Sequence, residues 1–462
     1  MSESNKKLVI IGLDCATPNI LFEEYLDCCP NIKKLVEHGV YGKLKSSDPP
    51  ITIPAWMVMA TGKKAGTLGI YGFRNRKENS YNDFWIASSY SVKERKIWDI
   101  LGEKGLKSCI LGVPPTYPIT PISGCLVSGF ITPDISVNYT YPAELKQEIE
   151  KNVGKYILDV NFRIDAKEEL LKKIYEMTEI QFKTIEYLMK NKQWNYTQFV
   201  IIGLDRFHHA FWKYFDKTHQ LYAPNNKFEG EVNKYYTYLD KKVGEILNLI
   251  DNDTLVMIVS DHGAKAMKGL ICINMALEKL GLLVFKKKPD IATKIEDAKI
   301  DWERTYAWGW GGYYARVFLN VKGREKFGII KEDKYEEIRD EIITKLKSIR
   351  DDKNNLMNTK IYKPKALFPI VRGKPPDLMV YFDDLNWRSA GTVGYESMYL
   401  KENDTGPDDA VHDYYGLFII YDPKRKIGKN LGKRNIIDIA PTSLSLLGLD
   451  VPDDMEGEII EF

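Results

Sequence analysis

The apolar residues of this chain gather into short unbroken runs, and three of the runs end in an acid: LVIIGLDC (Leu8–Cys15), FVIIGLD (Phe199–Asp205) and LVMIVSDHG (Leu255–Gly263). Two further runs, KSCILGVP and GLFIIYDP, have the same character. A run without polar alternation reads as a strand buried on both faces. Helical patterns over residues 31–38, 93–104, 166–191 and 231–250 fall between the runs. Strands and helices in alternation predict an α/β fold, a mainly parallel sheet with helices on both faces. Such sheets bind ligands beyond the carboxyl ends of their strands, which is where Asp14, Asp205 and Asp261 fall.

Residues 265–375 break the alternation with FKKKPD, the aromatic YAWGWGGYYARVFLN and the charged helical stretch EDKYEEIRDEIITKLKSIRDD. They are expected to form an inserted cap subdomain with its own small sheet and helix, leaving 1–264 and 376–462 as the core. Tyr306 to Tyr314, with Trp308 and Trp310, would either stack a base or sugar or pack as the core of that subdomain.

Charge excludes some partners. With 66 basic and 64 acidic residues the net charge is +2, too little for general affinity to a nucleic acid duplex or an anionic membrane. Leu8–Leu13 is too short for a signal-peptide core, and no run approaches the roughly 18 apolar residues of a membrane span. A cytoplasmic chain is expected. The six cysteines show no CxxC spacing and read as reduced, mostly buried thiols.

The stretch DPPITIPAW holds Thr52 among Pro49, Pro50 and Pro54, which stiffen the backbone before the helical MVMATG. Its hydroxyl is thereby placed near a helix N-terminus, where free N–H groups favour phosphate. The plain alternative is that Thr52 caps the helix. Asp205 and His209 stand four residues apart, Asp261 and His262 share a turn that Gly263 lets bend, and His412 precedes an apolar strand. Alone, Asp14 reads as a helix cap and Asp205–His209 as a surface pair. Together the acids and histidines form a nitrogen and oxygen set suited to zinc, with manganese the second choice. His38, His208 and His219 are assigned to structure.

The series GLDCAT, TIPAWMVMATG, LDRFHH, VSDHG, PPDL and HDYYGLF, in this order, resembles the alkaline phosphatase superfamily. More narrowly it is similar to the type I phosphodiesterase and nucleotide pyrophosphatase branch, over residues 7–265 and 376–462. The resemblance implies an alkaline phosphatase-like fold and two divalent cations. Asp14, Thr52, Asp261 and His262 would hold one, and Asp205, His209 and His412 the other. Thr52 would be the nucleophile, passing through a phosphothreonine, and the substrate a small phosphorylated molecule such as a nucleotide. One departure is GIYGFRNR: members of that branch place a phosphate-binding asparagine where Gly72 or Phe73 stands, with Asn75 or Arg74 as replacements here. A phosphomonoesterase or phosphonate hydrolase on the same core is the alternative. A phosphoglycerate mutase-like isomerase, a metal-stabilised scaffold and a sulfatase rank lower; the last needs Cys or Ser and then Arg where TIPAW has Thr52 and Trp56.

Overall fold

A computed structural model describes residues 6–462. The strand Leu8–Leu13 is buried at every position and lies between two parallel neighbours, Tyr196–Ile201 and Leu255–Val259. On the first side the parallel set continues through Ser108–Leu111 and Gly124–Val127, and Thr140–Tyr141 closes it antiparallel. On the other side Tyr415–Tyr421 runs antiparallel between Leu255–Val259 and Val40–Lys45, and Lys429–Asn435 forms the edge of the nine-stranded sheet.

Alternate residues of one strand face opposite ways, and each face has its own core. Val9, Ile11 and Leu13 pack with Leu35, Phe182, Phe207 and Leu239 of the helices Pro30–His38, Lys167–Asn191, Gly203–Phe215 and Glu231–Leu247. Leu8 and Ile10 pack with Trp56, Trp98 and Leu444 of Thr52–Thr61, Ile97–Glu103 and Ile439–Leu446. The mainly parallel sheet with helices on both faces is therefore the observed architecture.

A third core gathers residues from Met267 to Val411 around a four-stranded antiparallel sheet. Its strands are Ala307–Trp310, Ala315–Leu319, Leu378–Tyr381 and Lys360–Tyr362. Leu378–Tyr381 lies past the expected boundary at 375, yet it is an inner strand of this sheet. Trp308 and Trp310 are buried in the same core, so these two indoles pack rather than face a ligand. All six cysteines are free, and all but Cys28 are buried. No helix of the described residues is long and apolar enough to cross a membrane.

The parallel strands deliver their carboxyl ends to one edge. Asp14 follows Leu13, Asp205 lies in the first turn of Gly203–Phe215, and Asp261 comes just after Val259. Tyr415–Tyr421 runs the opposite way, so its entry end, close behind His412, lies on that same edge.

Candidate metal centre

Thr52 is the first residue of its helix and not the cap. Ala55 N donates to Ile51 O at 2.9 Å, so the first helical carbonyl belongs to Ile51, which is extended at φ −131°, ψ 136°. The Thr52 hydroxyl is thus free of the helix, and its Oγ1 lies 3.2 Å from His262 Nε2. Asp14 caps nothing either: its Oδ2 accepts from Trp56 Nε1 at 2.8 Å, tying the first strand to the Thr52 helix. Asp261 Oδ1 accepts from Cys15 N at 3.2 Å, which locks two strand ends together.

The three site histidines share one orientation. His412 Nδ1 donates to Pro50 O at 2.8 Å, His262 Nδ1 to Gly263 O at 3.1 Å, and His209 Nδ1 is 2.7 Å from Asp408 Oδ1. A carbonyl or carboxylate only accepts, so in each ring the proton is fixed on Nδ1 and Nε2 is turned toward the acids. His209 Nε2 lies 3.3 Å from Asp205 Oδ1, and His262 Nε2 lies 3.2 Å from Asp261 Oδ2 and 3.8 Å from Asp14 Oδ1. The helix spacing read from LDRFHH therefore brings Asp205 and His209 together, inside the protein rather than on its surface.

Ligand atoms fall into three groups, each within 4.8 Å: Asp14, Asp261 and His262; Asp205, His262 and His412; and Cys15, Asp205 and His209. His209 and His412, expected to act with Asp205 on one cation, stand in different groups, with ring centres 5.3 Å apart. Asp14 Oδ1, Asp205 Oδ1, Asp261 Oδ2 and His412 Nε2 are buried without a hydrogen-bond partner. Buried polar atoms are normally satisfied, so four orphans in one cluster fit a site built to face cations.

The electrostatics agree. Burial, reinforced by the charge of Asp205, pushes the Asp14 carboxyl up to about 8. Burial and then Asp14 hold Asp261 well above the usual carboxylate range. His262 is pushed down to about 4 by burial, and His412 lies well below the usual imidazole value through burial and then His262 and His209. Carboxylates crowded this closely ionise together only beside positive charge.

A family model described as "Type I phosphodiesterase / nucleotide pyrophosphatase" matches residues 8–408. The chain belongs to that family. No curated protein matches it. The matched span takes in the insertion and ends before His412. As a member of the type I phosphodiesterase/nucleotide pyrophosphatase family the chain is a phosphoric ester hydrolase, and its sheet is an alkaline phosphatase-like core.

In this phosphodiesterase-family chain, residues that sequence reasoning missed hold the candidate ligands in place. Asp408, which bonds His209, is buried and also accepts from Arg163 Nη2 at 3.0 Å and from Arg388 Nη1. Arg206 donates to Asp205 Oδ2 at 2.6 Å and grips Asp159 at 2.8 and 2.9 Å. Tyr313, from the insertion, stacks on His412 with ring centres 3.6 Å apart, and His262 stacks at 3.6 Å as well. The Tyr313 hydroxyl lies 3.3 Å from His209 Nε2. Asp408 stands four residues before His412, and the doubled acid of GPDDAVHD was its only signal in the sequence.

The two replacements considered for the missing asparagine are both engaged elsewhere. Asn75 accepts from Tyr71 N at 2.7 Å and donates to Gly72 O at 3.0 Å, while the Arg74 guanidinium lies over Phe84. His208 bonds Cys15 O and Tyr236, and His219 bonds Asp409 O, both structural roles as expected.

Asp408→Asn is expected to weaken cation binding by about 10–100-fold, the usual effect of removing a carboxylate behind a ligating histidine. Calorimetric titration of the stripped variant with zinc checks this, with circular dichroism confirming the fold. Unchanged affinity would show that His209 needs no such support.

Proposed function

We propose that the chain hydrolyses phosphodiesters or pyrophosphates at a centre of two divalent cations, with Thr52 as nucleophile. The observation that carries this reading is the position of the Thr52 hydroxyl: unused by its helix, buried, and 3.2 Å from His262 among the orphaned acids. Asp14, Thr52, Asp261 and His262 would hold one cation. Asp205, His209 and His412 would hold the other. The nitrogen and oxygen donors favour zinc, then manganese. Bound cations would supply Lewis acidity, lowering the pKa of the threonine hydroxyl and stabilising the departing oxygen.

The chain's own residues do the rest. Trp56 and the backbone at Cys15 fix the Asp14 and Asp261 carboxylates, so the hydroxyl meets a site whose parts are already placed. Thr52 gives its proton to solvent, its oxygen bonds to phosphorus as the bond from phosphorus to the ester oxygen breaks, and the ester oxygen takes a proton from solvent and leaves as an alcohol. Water then cleaves the phosphothreonine, restoring Thr52 and releasing a phosphate monoester. Tyr313, lying against His412 and His209, holds the two rings in place beside Asp205.

Charge argues for a diester over a monoester. The arginines that touch the cluster are engaged already, Arg206 with Asp205 and Asp159 and Arg388 with Asp408. A monoester dianion would need a further cation, and a diester monoanion needs less neutralisation. With bis-nitrophenyl phosphate and nitrophenyl phosphate, the ratio of kcat/KM values should favour the diester by about tenfold or more, equivalent to about 1.4 kcal/mol in barrier. A tenfold preference for the monoester would make the chain a phosphatase. A protein inert toward both, with zinc and with manganese, would point to the scaffold reading.

A further inference from the structure

We propose that Cys15 is a metal ligand, giving the cation at Asp205 and His209 a sulfur donor and making that half of the centre selective for zinc over manganese. The proposal rests on the metal-centre reading above and deepens it.

Three observations carry it. The Cys15 Sγ lies in one group with Asp205 and His209, all ligand atoms within 4.8 Å. The thiol is buried, and Asp205 Oδ1 in the same group is a buried oxygen without a hydrogen-bond partner. Cys15 also stands at φ 65°, in the left-handed region where a side chain is disfavoured and glycine is the easier residue.

The backbone explains how that conformation is held. His208 Nδ1 donates to Cys15 O at 3.1 Å, and Cys15 N donates to Asp261 Oδ1 at 3.2 Å. The turn is gripped from two sides, and the Cβ–Sγ bond is aimed at the acids. Four of the other five thiols are occupied elsewhere, Cys125 meeting Cys109 at 3.3 Å, Cys28 bonding Tyr25 O and Cys29 bonding Tyr236 O, while Cys272 packs in the third core. Among the described residues Cys15 is the cysteine that shares a ligand group with the acids and histidines.

A sulfur, nitrogen and oxygen set is the donor chemistry of zinc, cobalt and cadmium, whereas manganese and magnesium prefer oxygen. As the metal–sulfur bond forms, the thiol gives one proton to solvent. The thiolate and Asp205 would then give this site two negative donors, matching Asp14 and Asp261 at the other.

The test uses the full chain stripped of metal and reloaded with cobalt(II). Thiolate-to-cobalt charge transfer in the near ultraviolet is expected, and it should vanish in Cys15→Gly. Glycine suits φ 65°, so this variant is expected to fold, as a thermal melt will check. In the same variant the ratio of zinc to manganese affinity should fall by at least about tenfold. Cobalt bound in calorimetry without the charge-transfer band, or a band and affinity ratio unchanged in Cys15→Gly, would overturn the ligand role and leave the two-cation reading standing. No cobalt binding at all would bring down both.

Discussion

Thr52→Ala is expected to lower kcat by roughly three orders of magnitude or more, the scale seen when a nucleophile is deleted from a group acting as a unit. The change removes one hydroxyl from a helix that does not use it. Ala55 N still finds Ile51 O, and Trp56 still reaches Asp14. Fold and metal content should therefore stay close to those of the parent. Alanine is also a better helix former than threonine, so no loss of stability offsets the reading. Thr52→Ser, which keeps the oxygen, should retain measurable turnover, and acid-quenched parent enzyme should trap phosphate on Thr52. If Thr52→Ala turns over near the parent rate with its metal in place, the covalent route is wrong and water attacks phosphorus directly.

The second large effect concerns the cations themselves. Chelation should abolish turnover, and the stripped protein should become less stable as pH rises. Asp14 is pushed up to about 8 by burial and Asp205, from an ordinary value of 3.8. A group whose folded-state pKa is raised contributes stability that is complete below its unfolded pKa and lost as pH climbs through the folded one. Asp261 is shifted in the same direction, by burial and then Asp14. His262, pushed down to about 4 by burial, and His412, shifted the same way, gain stability as pH rises toward 6.5 and offset the acids there, so for the stripped protein the net loss falls between about pH 6.5 and about pH 8. Asp205 opposes this only at acid pH, because His209 and Arg206 outweigh burial and hold its carboxyl well below the usual range. In the loaded protein the carboxylates are ionised against positive charge, so the gap in Tm between loaded and stripped forms should widen between about pH 6.5 and pH 8. Melts at matched ionic strength decide this, and a gap that narrows with pH would contradict the protonated state assigned to Asp14 and Asp261.

Much of this arrangement was legible in the sequence because it is local. Leu8–Leu13, Tyr196–Ile201 and Leu255–Val259 are buried on both faces, so they are written as unbroken apolar runs, and a parallel sheet must bring their carboxyl ends to one edge. The helical spacing of Asp205 and His209 and the turn at Asp261–His262 follow from neighbouring residues alone. What was not legible is long-range. Asp408 reaches His209 across 199 positions of sequence, and Tyr313 reaches the same ring across 104. No local period records such meetings. YAWGWGGYY in particular divides its aromatic residues between two tasks, Trp308 and Trp310 in the core of the insertion and Tyr313 against His412. Composition is the same for both. The hydroxyl of Thr52 was read as either a cap or a nucleophile, and the hydrogen bond from Ala55 to Ile51 removes the cap reading.

The strand Val40–Lys45 is made early, yet both its neighbours in the sheet, Tyr415–Tyr421 and Lys429–Asn435, lie hundreds of residues later in the sequence. On the ribosome this strand has no partner until residues past 415 have emerged, while Leu8–Leu13 and Tyr196–Ile201 can already have joined. His412 arrives in the same late stretch, so the nascent chain carries an open strand edge and an unfinished set of ligands for most of its synthesis. Closing that edge and completing the ligand set therefore wait on the same C-terminal strands, and the sheet and the centre are finished together.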